Sequence, residues 1–260
     1  MSVASHHSTI PLTSTGPFGL GRQGLIGLVL IAMTAQAVPV FSAPLADPSQ
    51  PSEPRILYVP PKKFMPRARL GGTMRGADGA EPIVQPLVPD HVGFTSQETP
   101  VLNWYLSKPT PHEVRFTLID DKSVKPIFEA PIPAPKEAGI FSIRTRDLDL
   151  TLQPGVQYRW YISIVPQASS SEVVTGGIIE RCELSDCLIV MDARMTCSVQ
   201  SVTENARAGL WYDAMGCLCT LIDADPADVS LRRLRASLLT QVGLHTVAEW
   251  DLRAVPPSGR

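Results

Sequence analysis

The sequence has 260 residues, with 23 basic and 25 acidic side chains and a formal net charge of −2 at pH 7. A charge this balanced excludes the basic footprint that a general nucleic-acid-binding protein needs. Hydrophobic residues make up 44% of the chain. The length and this fraction suffice for one globular core and a second, smaller unit.

The first 37 residues have the organisation of a secretory signal peptide. Residues 1–23 are polar, residues 24–33 are uncharged and apolar, and Ala35-Gln36-Ala37 supplies the small side chains that a signal peptidase requires. These features predict cleavage after Ala37 and an exported protein, periplasmic or extracellular. An uncleaved membrane anchor is the alternative, although the apolar run is shorter than the ~20 residues that a spanning helix needs.

Residues 38–84 form a proline-rich zone, with nine prolines in 47 positions and no hydrophobic periodicity. This composition predicts a disordered linker, because it buries too little apolar surface to offset the entropy of ordering. All charged side chains between residues 55 and 75 are basic. We interpret them as part of a solvated spacer, and a weak tether to an anionic surface or membrane is the alternative.

The region from residue 85 to 183 is predicted to be a succession of seven short strands. Apolar and polar side chains alternate in these segments, as in residues 158–165, and turn signals separate them. The spacing predicts an antiparallel β-sandwich with Trp104 and Trp160 in its core. The prolines between residues 131 and 135 mark one strand as an edge, since proline cannot donate to a sheet.

A Leu-x-Pro-Gly-x-x-Tyr motif precedes the longest of these strands. Leu152, Pro154 and Gly155 form a turn, and Tyr158 and Trp160 begin the strand. The motif resembles the tyrosine corner of immunoglobulin-like and fibronectin type III sandwiches, where the tyrosine hydroxyl bonds to upstream backbone. An ordinary hairpin turn is the alternative.

The sequence period becomes helical in residues 184–252, which we predict to be an α-helical unit packed on the sandwich. The Ser-Val-Thr-Glu run at residues 201–204 has the form of a capping box. Asp225-Pro226 restarts a helix, and Gly243 ends it. These signals predict a helical hairpin, followed by a disordered tail over residues 253–260.

The cysteines permit disulfides in an exported protein. Cys182 and Cys187 are the candidate pair, since they would close a small loop between the sandwich and the helices. Cys217 and Cys219 lie two residues apart on a helix and point in different directions, so they cannot easily pair. The total of five leaves at least one thiol unpaired. A metal site around Cys182 and Cys187 is an alternative that no ligand spacing supports.

Motifs of catalysis are scarce. No nucleophile elbow, zinc-protease or phosphate-loop pattern surrounds the histidines that follow the signal segment, which are His91, His112 and His245. The best candidate for an interaction is Trp211-Tyr212-Asp213. Three adjacent residues span most of a helical turn, so we expect that they cannot all be core. Either aromatic ring would dock on the sandwich, while Asp213 caps or bonds across the junction.

Several motifs, taken together, carry a family resemblance. The chain resembles the bacterial exported family catalogued as domain of unknown function 928, and the matching segments run in order through residues 71–76, 87–89, 100–105, 155–161, 177–181, 209–214 and 238–244. The resemblance implies an exported protein of unassigned activity, with no catalytic residues to transfer. The chain departs from the pattern where a cysteine is expected, since Ala77 and the Val165-Pro166 region occupy those places.

The sequence therefore favours an exported cell-envelope binding or scaffold module without catalytic activity. Its fold is predicted to be an immunoglobulin- or fibronectin-like antiparallel β-sandwich followed by a helical hairpin. The expected partner is another envelope protein or an envelope polymer, and no cofactor or metal is predicted. An envelope hydrolase with an unrecognised active site is the alternative.

Overall fold

The structure is a computed structural model that describes residues 56–61, 68–71, 82–120, 123, 125–165, 172–182 and 196–254. The predicted signal peptide, most of the linker, Cys187 and residues 255–260 of the tail lie outside these residues.

The β region begins at residue 84 and contains eight strands within the described residues. A short 3₁₀ helix, Thr145–Leu148, follows the sixth strand. The strands are β1 Val84–Pro86, β2 Gly93–Thr95, β3 Val101–Leu106, β4 Glu113–Asp120, β5 Phe128–Ile132, β6 Gly139–Arg144, β7 Gln157–Val165 and β8 Val173–Arg181.

The strands form two sheets. One has three strands in the order β1-β3-β6, and the other has five in the order β2-β8-β7-β4-β5. All neighbours are antiparallel except β2 and β8, which are parallel. The prediction of seven strands in purely antiparallel sheets was therefore wrong. The three residues of β2 are too few to show a period, and their pairing with β8 depends on tertiary contacts.

The longest strands follow the predicted alternation. On β7, Tyr158, Trp160, Ile162 and Ile164 are all buried, because their side chains point to the same face of the sheet. Trp104 of β3 is also buried. The proline-interrupted strand β5 lies at the edge of its sheet, as expected for a strand that lacks a backbone donor.

The turn before β7 is held by the tyrosine that the sequence singles out. The backbone N–H of Gln153 donates to the Tyr158 hydroxyl at 3.0 Å. Gly155 has a φ of 69° and donates its N–H to the carbonyl of Arg181 at 2.8 Å. Leu152 is buried below the turn. The turn is thus bonded both to its own strand and to β8.

Four helices follow in residues 196–254, rather than the predicted hairpin of two. They are α1 Val199–Arg207, α2 Trp211–Ala224, α3 Val229–Gln241 and α4 His245–Arg253. Helix α4 has no side-chain cap at its start, which explains why the sequence signals missed it. Gly243 lies just after α3, as predicted for a helix stop.

The helix starts differ from the predicted ones. The capping box of α1 joins Ser198 and Ser201, three residues earlier than expected. A break at Gly209, whose φ of 78° favours glycine, separates α1 from α2. The side chain of Asp228 caps α3, so the helix does not begin at Pro226.

A buried ion pair joins the last two helices. Arg235 of α3 donates from Nε and Nη2 to the two carboxylate oxygens of Asp251 on α4, at 2.7 and 2.6 Å. Asp251 is fully buried and also accepts from Arg232 at 3.1 Å. This bidentate pairing orients α4 against α3.

Two stretches of the predicted disordered linker are packed on the rest of the chain. Ile56 and Tyr58 are buried, and the Gln241 amide of α3 bonds to the backbone of both residues. Leu70 forms an antiparallel bridge with Gly176 of β8. The disorder prediction was wrong for these stretches, because Ile56 and Tyr58 bury against the core and the backbone of Leu70 bonds to that of Gly176.

None of the helices in the described ranges is both long and apolar enough to cross a membrane.

Candidate functional site

Helix α2 is the element that joins the two regions. It contacts β2 of the five-stranded sheet and β3 of the three-stranded sheet, and it also packs against α1 and α3. Its first turn contains Trp211, Tyr212 and Asp213, the three residues singled out in the sequence. We call these residues and their direct partners the junction core.

Trp211 anchors the start of α2. Its side chain is fully buried, and Nε1 donates to the carbonyl of Leu87 at 2.8 Å. The ring also meets Tyr58 edge-on, with the ring centroids 5.0 Å apart. Trp211 therefore ties α2 to the loop after β1 and to the N-terminal segment at the same time.

Tyr212 reaches from α2 into the β region. Its hydroxyl accepts from Nε1 of Trp160 at 2.9 Å and donates to the carbonyl of Ile178 at 3.2 Å. The ring lies against Gly93, where an added Cβ would come within 2.6 Å of the tyrosine Cε2. Glycine at this position of β2 thus makes room for the ring.

Asp213 holds the segment that follows β2. One carboxylate oxygen accepts from the Thr95 hydroxyl, and the other accepts from the Ser96 N–H at 2.8 Å and the Ser96 hydroxyl at 2.5 Å. Burial raises the pKa of the Asp213 carboxyl, while these hydrogen bonds act in the opposite direction. The side chain therefore fixes the first residues of the β2–β3 loop.

Trp211, Tyr212 and Asp213 are all buried, which corrects the expectation that they could not all be core. The expectation assumed a surface helix with one apolar face. Helix α2 instead has the two sheets on one side and α1 and α3 on others, so a complete helical turn is covered.

A cleft opens beside the junction core. Its volume is about 390 Å³, within the range of small-molecule sites. One side consists of the β2–β3 loop and the segment after β6, and the other consists of α1 and α2. Because Asp213 fixes the β2–β3 loop, the junction core also sets the shape of this cleft. We call it the junction cleft.

One face of α1 and of the short segment before it lines the junction cleft. The lining residues on this face recur at four-residue intervals and are Cys197, Ser201 and Asn205. Asn205 is only 4% exposed, and its Oδ1 has no hydrogen-bond partner in the described part of the chain. A buried polar atom without a partner is costly, so this acceptor is a feature that the fold alone does not explain.

Two arginines line the opposite side of the cleft. Arg144 and Arg146 follow one another with one residue between them, and both are exposed. Arg144 lies 3.9 Å from Asp223 across a largely solvated gap, a pairing that contributes little. Asp147 also lines this side. The guanidinium groups can donate to an anionic or polar ligand.

The cleft also contains two thiols. Cys197 is exposed and Cys217 is buried, and both are free cysteines. The Ser201 hydroxyl lies 3.6 Å from the Cys217 sulfur. Burial raises the pKa of the Cys217 thiol to about 12. Cys182 is disulfide-bonded, but Cys187, its predicted partner, lies outside the described residues, so that pairing stays a prediction.

Groups suited to catalysis or metal binding are few at this site. The described residues that line the cleft include no histidine. Among the residues that the structure describes, no three His, Cys, Asp or Glu side chains lie close enough to hold a metal ion. The acidic residues between Cys182 and Cys187, which entered the alternative metal hypothesis, lie outside the described ranges.

Comparison with known proteins assigns a family. The family model described as Domain of Unknown Function (DUF928) matches residues 70–252, most of the chain. The chain belongs to this family. No curated protein matches the chain. The family assignment agrees with the resemblance in the motifs, and it names no activity.

Sequence reasoning found the junction core but not the cleft beside it. Of the predicted structural residues, Leu152, Tyr158 and Trp160 are buried, whereas Pro154 and Gly155 are exposed in the turn before β7. Trp160 donates to Tyr212 and is thus a direct partner in the junction core. The four-residue recurrence of polar side chains before and along α1 was the one signal that could have indicated the cleft. It was hidden because the predicted helix began too late.

Proposed function

We propose that the protein is an exported, non-catalytic binding module of the cell envelope, and that its ligand site is the junction cleft. The β region is proposed to be an immunoglobulin-like sandwich that serves as the rigid support for the cleft. The proposed ligand is a polar, anionic group carried by an envelope polymer or by another envelope protein.

One observation carries this proposal. A cleft of about 390 Å³ is lined by Asn205, whose buried Oδ1 has no partner among the described residues, and by the exposed Arg144 and Arg146. A ligand with a hydrogen-bond donor and an anionic group would satisfy the first and pair with the second. The cleft thus offers complementary chemistry that the protein does not use for its own packing.

The absence of catalysis in the proposal rests on the groups inside the cleft. Both carboxylate oxygens of Asp213 already accept hydrogen bonds from Thr95 and Ser96. The pKa of the Cys217 thiol is about 12, so the sulfur is protonated at neutral pH and is a poor nucleophile. Nucleophilic catalysis needs a base beside the nucleophile, and the described lining residues include no histidine, the most common one.

The binding proposal is tested with charge reversal at the cleft. Anionic envelope fragments, such as uronic-acid oligosaccharides and peptides with a free carboxylate, are titrated by calorimetry into the wild type and Arg146→Glu. The control is Lys136→Glu, which makes the same change at an exposed cation that does not line the cleft. Binding that is lost only in Arg146→Glu supports the proposal, and binding that survives in both variants places the ligand elsewhere.

Export is tested separately, because it rests on the sequence. We expect the protein recovered from the envelope or medium to begin at Val38. N-terminal sequencing of fractionated cells checks this, and recovery of the form beginning at Met1 in the soluble cytoplasm would contradict it.

The hydrolase alternative draws on one feature, the raised pKa of Asp213 beside the cleft. A carboxyl whose pKa is raised is a candidate general acid. Hydrolysis of ester, peptide and glycoside substrates by the wild type, with loss of the rate in Asp213→Asn and a normal melting temperature, would favour this alternative over the binding module.

A further inference from the structure

Two thiols from different helical segments line the junction cleft. Cys197 immediately precedes Ser198, the N-cap of α1, and Cys217 lies in the middle of α2. Both side chains line the cleft. Ser198, the residue after Cys197, shares a capping box with Ser201, and the Ser201 hydroxyl lies 3.6 Å from the Cys217 sulfur, so the two thiols belong to one neighbourhood.

The two sulfurs differ in their access to solvent. Cys197 is exposed, whereas Cys217 is 8% exposed. A reagent from solution therefore reacts with Cys197 first, because the Cys217 thiol is sheltered from solvent. One accessible thiol in the neighbourhood of a sheltered one is the arrangement of an attacking cysteine and its resolving partner.

We propose that Cys197 and Cys217 form a redox-active pair that closes reversibly into a disulfide, with Cys197 as the attacking and Cys217 as the resolving cysteine. The oxidant is a small-molecule disulfide, of the chemical class of oxidised glutathione. This site is independent of which ligand the cleft binds.

The chemistry proceeds in two exchanges. The Cys197 thiolate attacks one sulfur of the small disulfide, forms a mixed disulfide and releases one small thiolate. The Cys217 thiol then loses its proton to water and attacks the Cys197 sulfur, which releases the second small thiolate. Two protein thiols are oxidised, one small disulfide is reduced to two thiols, and no other electron acceptor is required.

The roles follow from the surroundings of each sulfur. Burial keeps Cys217 protonated at neutral pH, so it reacts only after Cys197 has brought a disulfide bond to it. Cys219 offers a contrast on the same helix. It is 1% exposed, and Nη1 of Arg235 lies 3.5 Å from its sulfur, inside the helical region and away from the cleft. Cys219 is therefore the matched control.

Closure would have a structural consequence at the cleft. The new bond would join the start of α1 to the centre of α2, the two helical walls of the cleft. Because a disulfide restricts the unfolded chain, the oxidised protein should melt at a higher temperature than the reduced protein. The melting temperature thus gives a second readout of the same reaction.

The test treats the full chain with oxidised glutathione at neutral pH and maps the products by mass spectrometry. We expect the wild type to lose two hydrogens, to yield a linked Cys197–Cys217 peptide and to regain both hydrogens with dithiothreitol. Cys217→Ser should retain glutathione on Cys197, Cys197→Ser should gain none at Cys217, and Cys219→Ser should react as the wild type does.

Two results would overturn the proposal. One is a wild type that holds glutathione stably on Cys197 without forming the linked peptide. The other is a link between Cys197 and Cys182 or Cys187, which would show disulfide reshuffling instead. Should Cys217→Ser fold poorly, the wild-type linked peptide and its rise in melting temperature still decide the matter, since both are measured without a variant.

Discussion

The junction core and the junction cleft are neighbours that differ in how their polar groups are used. In the junction core, the Trp211 indole, the Tyr212 hydroxyl and the Asp213 carboxylate all have hydrogen-bond partners. In the lining of the cleft, Asn205 has a buried oxygen with no partner among the described residues, and Cys197 and Cys217 are free thiols. Helix α2 contributes residues to both places.

The difference separates folding from function. A buried polar group that is satisfied rigidifies the fold, whereas one that is unsatisfied costs stability and is retained only for another reason. The junction core therefore holds the two regions together. The cleft contains the groups that we assign to ligand binding and to thiol chemistry. Substitutions in the two places should consequently have opposite signatures.

The largest expected effect comes from Trp211→Ala. Removing the buried ring and its bond to Leu87 should lower the free energy of unfolding by about 3–5 kcal/mol. Thermal unfolding should show one transition at a lower temperature, because α2 contacts both sheets. Two separate transitions, with the β region melting as in the wild type, would show that the helices are an independent appendage.

Tyr212→Phe tests a single polar group of the junction core. The change leaves the ring but orphans the Trp160 N–H and the Ile178 carbonyl, at about 1–3 kcal/mol of unfolding free energy. The matched control is Tyr161→Phe on β7, whose side chain is only partly buried. Chemical denaturation measures both. Equal losses in the two variants would remove Tyr212 from its assigned role.

Asp213 predicts a dependence of stability on pH. Its folded-state pKa is raised, so the folded protein binds the proton more tightly than the unfolded chain. Stability from this group is highest below the unfolded pKa of about 3.9 and falls as pH rises through the folded pKa.

The comparison for Asp213 is with Asp213→Asn, which cannot titrate. The melting temperature of the wild type minus that of the variant should decrease as pH rises from about 4. Other acidic groups contribute equally to both proteins and cancel in the difference. A difference that increases with pH would mean that the hydrogen bonds from Thr95 and Ser96, and not burial, dominate this carboxyl.

The smallest expected effect is that of Asn205→Leu in the cleft. Leucine has a similar shape and removes the unpartnered Oδ1, so the free energy of unfolding should stay unchanged or rise by up to about 1 kcal/mol. Denaturant titration of the full chain measures it. A loss as large as that of Tyr212→Phe would place Asn205 in the packed core instead of a functional site.

Local patterns were sufficient to predict much of the β region. The alternation along β7, the turn held by Tyr158 and the proline-bearing edge strand β5 are all present. Each depends on residues close in sequence or on the chemistry of one residue type. Such features survive tertiary packing because nothing in the fold competes with them.

The helical region was predicted less well, for two physical reasons. Its apolar positions recur through the break at Gly209, so the period alone could not show that α1 and α2 are separate helices. Helix α4 is stabilised by the buried pairing of Asp251 with Arg235, a contact between distant parts of the chain. Tertiary contacts of this kind leave no local signal.

The cleft was not predictable because it belongs to no single segment. Its walls come from the β2–β3 loop, the end of β6 and two helices. The placement of Cys197 and Cys217 along the same cleft depends on how α1 packs against α2. Sequence spacing could argue only that Cys217 and Cys219 do not pair, and it gave no reason to join Cys217 with Cys197.

The most direct test of the division between core and cleft is the ligand-induced change in melting temperature of Asn205→Leu and Tyr212→Phe. The ligand is the anionic envelope fragment that binds the wild type most tightly. We expect Asn205→Leu to melt like the wild type without ligand and to lose the ligand-induced rise. Tyr212 also lines the cleft, but Tyr212→Phe keeps the ring and removes only the hydroxyl bonded to Trp160 and Ile178, so this variant should melt lower and keep the rise. A rise retained in Asn205→Leu would contradict the assignment of the cleft as the binding site.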